Sequence, residues 1–349
     1  MNSSLNFKIL NLQELSSWDE YVLRHPAHSP YHLSGWGLSV VKAYKHPVLF
    51  IAAYSQLQIV GVLPIILFSV PMRTKFLCSL PFCDLGGCLA ENSDIKIQLE
   101  EFAFRLKNQY KASHVEIRDR VESKFSNSDW ENKKVSMLLN LPTTSEQLRA
   151  SFKSKLRSQI NKAEKNGLEY EFGRSFRFVK DFYQIISENM HRLGSPVHSL
   201  SWFSSIVENY NSKCLISLIR SDGKVVSAGL ILFTDKQVCI PWASTLSDYN
   251  HLSPNMLLYW SLLKFSSDHG CEQFDFGRST FNEGTYKFKA QWGAEPKLLN
   301  WRILEKVEDD SQPITSSSKL RTVVESTWRK IPLSLANAIG PAIRRYISL

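Results

Sequence analysis

The sequence has no long uninterrupted hydrophobic run. Its apolar stretches, such as Ile59 to Phe68, extend for roughly ten residues and are broken by Gly61 and Pro64, well short of the ~20 that a membrane-crossing helix requires. A soluble protein is expected. Met1 to Leu10 has no charged, apolar, small-residue series of the kind that marks a secretory leader, so cytoplasmic residence is expected, with a peripheral place at the inner membrane left open by the C-terminal tail described below.

Cysteine pairs of the CxxC type are also missing. The six cysteines, Cys78, Cys83, Cys88, Cys214, Cys239 and Cys271, lie mostly within or beside apolar segments, as core thiols do, and not in the spacing of a metal site. His25, His28 and His32 come at spacings of three and four, but Pro26 and Pro30 interrupt any helix that would put them on one face; no metal is expected. There is no G-x-S-x-G elbow and no histidine in a recognisable catalytic context, which disfavours covalent catalysis. Neither G-x-x-x-x-G-K-[ST] nor G-x-G-x-x-G occurs, so ATP-driven ligation and dinucleotide chemistry lose support. If the protein is an enzyme that joins groups, the energy comes from an activated donor such as a thioester or aminoacyl ester, with no tightly bound cofactor.

What the sequence does have is an excess of cations, 42 Lys and Arg against 33 Asp and Glu, for a net charge of +9. Nucleic acid, pyrophosphate-linked sugars and an anionic membrane face would all be attracted. The 349 residues, 43% of them hydrophobic, are enough for two domains with separate cores.

A repeat points the same way. Leu49 to Phe68 and Cys214 to Phe233, 165 residues apart, each read as an apolar strand, a polar turn and a second strand ending Ile-Leu-Phe, the pattern of a hairpin. A third strand (Phe76 to Leu80; Val238 to Ala243), a helix (Ile95 to Tyr110; Pro254 to His269) and a short closing strand (His114 to Arg118; Gln273 to Phe276) follow in both. A duplicated α/β unit is expected. Between the two copies, Leu148 to Gly167 reads as one helix, with Phe152, Leu156, Ile160 and Ala163 on its apolar face and Arg149, Lys153, Lys155, Arg157, Lys162 and Lys165 on the other; Gly167 is the stop. The end of the chain, Lys319 to Leu349, mixes Arg321, Arg329, Lys330, Arg344 and Arg345 with Trp328, Ile339 and Ile343. That composition suits an amphipathic segment that either packs on the body or rests on an anionic membrane surface.

The densest group of reactive and conformationally special residues is Phe274 to Gly293. Asp275 ends a strand, Gly277 permits an unusual backbone angle, and Arg278 and Ser279 follow in a loop. Tyr286, Phe288 and Trp292 then alternate with Lys287 and Lys289, cations beside flat apolar walls. Acyl transfer develops negative charge on a carbonyl oxygen, and Lys289 is the expected donor to it; a surface lysine beside core aromatics is the plain alternative. Asp275 could relay a proton or simply cap the next loop.

Across nearly its whole length the sequence resembles FemAB-related proteins of the GNAT superfamily, particularly the subgroup found beside exosortase and PEP-CTERM exopolysaccharide loci. The segments that carry the resemblance are HPAHSPYHLSGW (25–36), VGVLPIILF (60–68), PFCDLGG (81–87), LRSQINKAEKNGL (156–168), MHRLGSPV (190–197) and, most specifically, FDFGRSTFNEGTYKFKAQWGAEP (274–296). The resemblance implies an α/β (α+β) fold of two tandem GNAT-like domains, each a mixed, mostly antiparallel sheet flanked by helices. They would fall at residues 1–147 and 148–306, with a basic amphipathic tail at 307–349. It implies transfer of an acyl or aminoacyl group from an activated donor, aminoacyl-tRNA or acyl-CoA, to an amine on an envelope glycan, exopolysaccharide or peptidoglycan precursor, or lipid-linked precursor, by a monomer. Phe288 and Lys289 are similar to the aromatic and lysine pair beside the transferred ester in that family, and Arg157 to a basic residue facing substrate phosphates. Arg278, Ser279, Tyr286, Trp292, Trp242, Tyr31 and Trp36 complete the expected substrate-binding set, with core packing as the alternative for Tyr286 and Trp292. The sequence departs from CoA-dependent GNAT enzymes in having no glycine in Ser247 to Trp260, where their pyrophosphate loop falls. It departs from the tRNA-dependent enzymes in lacking a long charged heptad arm.

Two further readings stand beside this one. The first is an acyl-CoA-dependent N-acetyltransferase with a nonstandard CoA loop. The second is a non-catalytic scaffold that binds glycan or lipid carrier.

Overall fold

A computed structural model describes residues 5–72, 75–121, 130–304 and 325–348. The chain divides into two compact units, one of Met1–Lys124, Leu298–Ser316 and Tyr346–Leu349, the other of Phe125–Lys297 and Ser317–Arg345.

In the first unit, β1 (Asn6–Leu10), α1 (Leu15–Arg24) and α2 (Ser34–Tyr44) precede the hairpin β2 (Val48–Ser55) and β3 (Gln58–Phe68). β4 (Lys75–Cys78), the short β5 (Leu89–Ala90), α3 (Ser93–Gln109) and β6 (Ala112–Arg120) follow. β1, β2, β3 and β4 pair antiparallel in that order, β4 pairs β6 in parallel, and β6 pairs antiparallel with the late strand β13 (Glu295–Leu304). β3 is buried along nearly its whole length, with α1 and α3 packed on it, which explains why it reads as a continuous apolar run and not as an alternating one. Leu63 and Ile65 meet Leu99 and Ala103 in its core.

The second unit repeats the plan. It starts with β7 (Lys134–Asn140), α4 (Ser145–Ser151), α5 (Ser154–Lys165), β8 (Glu169–Gly173), α6 (Phe176–Arg192) and α7 (Leu200–Tyr210). Then come β9 (Cys214–Ser221), β10 (Lys224–Phe233), β11 (Gln237–Thr245), α8 (Pro254–Asp268), β12 (Gln273–Thr280), α9 (Gly284–Ala290) and α10 (Leu333–Arg344). β8 to β11 pair antiparallel in order, β11 pairs β12 in parallel, and β12 pairs antiparallel with β7. β8 to β12 thus stand where β1 to β4 and β6 stand in the first unit. Every strand and helix of the expected repeat forms.

The units exchange their last strands. β7 follows β6 in sequence but completes the sheet of β12, and β13 follows β12 but completes the sheet of β6. The division therefore falls at 124/125, earlier than the expected cut at 147/148, and the first unit recovers residues 298–316. Of the expected tail, residues up to 324, including Lys319 and Arg321, lie outside the described residues; α10 packs against α6.

The expected helix from Leu148 to Gly167 is two helices. Phe152 adopts an extended conformation (φ −70°, ψ 145°) between α4 and α5, because its ring is drawn into the interior against Trp260 and Trp292 at centroid distances of 5.9 and 5.5 Å. Burying a phenylalanine outweighs the one or two helical hydrogen bonds lost at the break. Leu156, Ile160 and Ala163 are buried as expected, and Gly167 takes φ 72° at the stop.

All six cysteines are free thiols, and burial pushes Cys83 and Cys88 well above the ordinary thiol range, so they carry little thiolate. His25, His28 and His32 bond to the backbone oxygens of Ala90, His25 and Gly87; they pin loops. Among the described residues no helix is long and apolar enough to cross a membrane, and no group of three or more His, Cys, Asp or Glu could hold a metal ion.

Candidate active site

The second unit opens at one place in its sheet. β11 and β12 pair in parallel at only three positions, ending at Cys239 opposite Asp275, although β11 continues to Thr245 alongside β10. Beyond Cys239 the two strands no longer pair with each other.

The parting is built into β12. Asp275 pairs with Leu138 and Arg278 with Ser136, so β12 spends three steps where β7 spends two, a β-bulge. Gly277 sits in it at φ 73°, a conformation that costs an L-residue about 1–2 kcal/mol. Asp275 and Lys289 hold the bulge from two directions. One Asp275 oxygen, Oδ1, accepts from Ser136 Oγ at 2.7 Å and from the Gly277 amide at 2.8 Å. Lys289 Nζ donates to the carbonyls of Gly277 at 3.0 Å and Arg278 at 2.9 Å. Both side chains are buried. The two residues singled out from sequence as catalytic are thus brought together, and the ammonium points into the protein and not into bulk water. Ser279, next in the strand, is buried with an unpartnered hydroxyl oxygen.

A cleft of about 260 Å³ lies in the same unit, lined by Ala243, Ser244 and Thr245 at the end of β11, by the first turns of α8, by Asn189 and Arg192 of α6 and by Phe288 of α9. The volume suits an aminoacyl or short acyl group and falls just below the ~300–1,000 Å³ of pockets that enclose a whole ligand. Its walls are polar. Arg192 Nη2 donates to Asn189 Oδ1 at 2.8 Å, and Asn189 Nδ2 donates to Ser244 Oγ at 2.9 Å, a relay running from a cation to the end of β11. Asn250 and Asn255 add two more amides. Tyr259 brings a phenol whose pKa burial pushes up to about 12, so at neutral pH it is an O–H donor. Phe288 packs edge-on against Tyr259 at 5.0 Å.

Of the residues singled out from sequence, Phe288 is the one that lines this cleft. Trp292 is fully buried among Phe152, Tyr259 and Phe288; it is core behind the wall. Tyr286 packs on Phe281. Trp242 joins an aromatic cluster with Trp202, Phe203 and His198. Arg157 Nη1 donates to the carbonyls of Ala150 and Phe152, tying down the break between α4 and α5. Tyr31 and Trp36 stack edge-on at 4.8 Å in the interior of the first unit, with Trp36 Nε1 bonded to the Pro81 carbonyl. The cleft residues Asn189, Arg192, Ser244, Thr245, Asn250, Asn255 and Tyr259 were missed. Two sequence signals lay near them: MHRLGSPV (190–197), which holds Arg192, and Ser247 to Trp260, which lacks glycine but carries Asn250 and Asn255.

Residues 150–290 match the family of the acetyltransferase (GNAT) domain. The fold is shared with the solved structure of FemX (TM-score 0.67, 15% identity, covering 84% of this chain and 95% of that one). It is shared as well with L-PGS from Bacillus licheniformis (TM-score 0.54, 14% identity, 92% and 98%). A tandem GNAT protein from the clavulanic acid biosynthesis pathway gives a TM-score of 0.50 at 10% identity, over 88% and 100% of the two chains. No curated protein matches the chain in sequence. The chain thus shares the fold of these proteins, two GNAT-like units of mixed, mostly antiparallel sheet flanked by helices, with the match to the acetyltransferase (GNAT) domain lying in the second.

Proposed function

We propose that this protein transfers an acyl or aminoacyl group from an activated donor to an amine on a cell-envelope or exopolysaccharide precursor, with the reaction in the cleft where β11 and β12 part. The observation that carries this reading is a polar cleft at the end of β11, beyond the point where its pairing with β12 stops, within the segment matched to the acetyltransferase (GNAT) domain. A donor acyl group entering this cleft lies against the end of β11 and the polar side chains around it. The acceptor nitrogen then attacks the donor carbonyl, forming the C–N bond; the C–O or C–S bond to the donor breaks, and the proton leaves the nitrogen for the departing oxygen or sulfur. Tyr259, held protonated, is the donor for the developing charge or the leaving atom. The Arg192–Asn189–Ser244 relay orients the β11 end, and Asp275 and Lys289 position β12.

An aminoacyl ester of tRNA is the favoured donor. The net charge of +9 suits a polyanion, and the α8 entry lacks the glycines of a usual CoA loop. The donor itself, and no resident cofactor, supplies the activation. The test incubates the full chain separately with aminoacyl-tRNA and with acetyl-CoA, each with amino-sugar and muropeptide acceptors, and reads the acceptor mass. An aminoacyl increment that falls sharply in Tyr259→Phe supports the proposal. An increment from acetyl-CoA alone reassigns the donor. No increment from either, with acceptor binding retained, overturns the reading in favour of a non-catalytic binding protein.

A further inference from the structure

α10 is seated on the second unit by its small residues. Ala336 and Gly340, four apart, are its buried positions, and a Cβ on Gly340 would come into ordinary contact, at 3.4 Å, with the Trp328 ring and the Val197 nitrogen, so this face packs closely on the unit. The larger apolar residues face the other way. Leu335, Ile339 and Ile343 are 48%, 40% and 43% exposed, and Ala338 and Ala342 between them are exposed as well. Positions 335, 338, 339, 342 and 343 are the i, i+3, i+4, i+7, i+8 series of one helical stripe. Single exposed apolar residues are ordinary on a protein surface; here three of the eleven large ones lie in line on one helix.

We propose that this stripe is a docking face for an anionic lipid surface. Charge singles out that occupant. From Glu325 to Tyr346 the chain carries Arg329 and Lys330 before the helix and Arg344 and Arg345 at its end, against Glu325 alone, and α10 contains no acid. Arg329 and Lys330 are exposed and Arg344 and Arg345 half-buried. A helix lying in the headgroup plane would sink Leu335, Ile339 and Ile343 to the acyl boundary while the cations at both ends reach phosphates. Its 12 residues span about 18 Å, too short to cross. A second copy fits less well, since two such helices face to face, parallel or antiparallel, bring cationic ends together. The proposal rests on the stripe and its charges and not on the transferase reading.

The experiment is co-sedimentation of the full chain with vesicles of phosphatidylcholine, alone or with about a third phosphatidylglycerol, in low and high salt. Binding to the anionic vesicles that weakens with salt is expected. Ile339→Asp with Ile343→Asp should cut the bound fraction at least roughly tenfold with the melting temperature unchanged, because both side chains are exposed. Lys330→Glu should weaken binding about fivefold, on anionic vesicles only. A wild-type chain that stays in the supernatant, or a stripe variant that binds as well as wild type, overturns the proposal. So does a wild-type dimer that the stripe variant converts to monomer, which would make a second copy the occupant. Vesicle binding without group transfer sinks the transferase reading alone, and transfer without vesicle binding sinks this one alone.

Discussion

Lys289→Met separates a positioning role for this lysine from a directly catalytic one. The native ammonium donates to the Gly277 and Arg278 carbonyls at 3.0 and 2.9 Å, at and beside the bulge in the β7 ladder. Methionine keeps the aliphatic stem, so little cavity forms, but both carbonyls lose their donor. Each buried, unsatisfied acceptor costs about 1–3 kcal/mol. These two are only part-buried and can recruit water, and the variant no longer buries a charge, so the low end applies, about 2 kcal/mol in total. For a unit of this size that is a fall in Tm of roughly 4–8 °C. The assay is differential scanning calorimetry of the full chain alongside the transfer assay. The positioning role predicts that Tm and kcat fall together and that Lys289→Arg, which restores donors, recovers part of both. A Tm within about 1 °C of wild type would refute the clamp, and a loss of kcat with an unchanged Tm would return Lys289 to the oxyanion.

Tyr259→Phe should lower kcat at least ~10-fold, as loss of a proton donor does, with the denaturant midpoint nearly unchanged; an unaltered rate would remove the phenol from the mechanism. Trp292→Ala should cost about 3–5 kcal/mol of stability, the usual value for emptying a fully buried aromatic site; a denaturant series showing less than about 1 kcal/mol would place the indole outside the core. The first unit should lose stability in acid because burial lowers the His32 pKa to about 3 from its ordinary 6.5. The folded state keeps His32 neutral while the unfolded chain takes up a proton, so stability present above pH 6.5 declines as the pH falls toward 3. At pH 4.5 the loss reaches about 2–3 kcal/mol, and His32→Gln should flatten the profile measured by urea unfolding; a wild-type profile already flat from pH 7 to 4.5 would contradict the buried neutral ring.

Much of the local structure was legible because local patterns caused it. The continuous apolar runs of β2, β3, β9 and β10 and the helical spacing of α3 and α8 act over a few residues each, and the repeat of that order showed two similar units. The single helix expected over Leu148 to Gly167 failed at Phe152, where a contact with Trp260 and Trp292, more than 100 residues away in sequence, overrode helical spacing. The candidate site was legible only as a region. Asp275, Gly277 and Lys289 do converge, but as the clamp of a bulge, which depends on the pairing of β12 with β7, and no pattern within 274–293 contains β7. Tyr31, Trp36 and Trp292 carry the composition of binding aromatics and sit in cores, since an aromatic ring serves either purpose and burial decides between them.

The sequence by itself determined the strands and helices of the repeated unit, their twofold recurrence and the absence of a membrane-crossing helix among the described residues, because hydrophobic spacing and turn chemistry specify these over short distances. Tertiary structure alone decided which unit β7 and β13 complete, where β11 and β12 part, and which residues of α6, α8, α9 and β11 surround the cleft. Those outcomes depend on pairing between segments up to about 190 residues apart in the chain, where the free energy lies in burial and ladder closure across the whole unit and leaves no periodic trace in either partner.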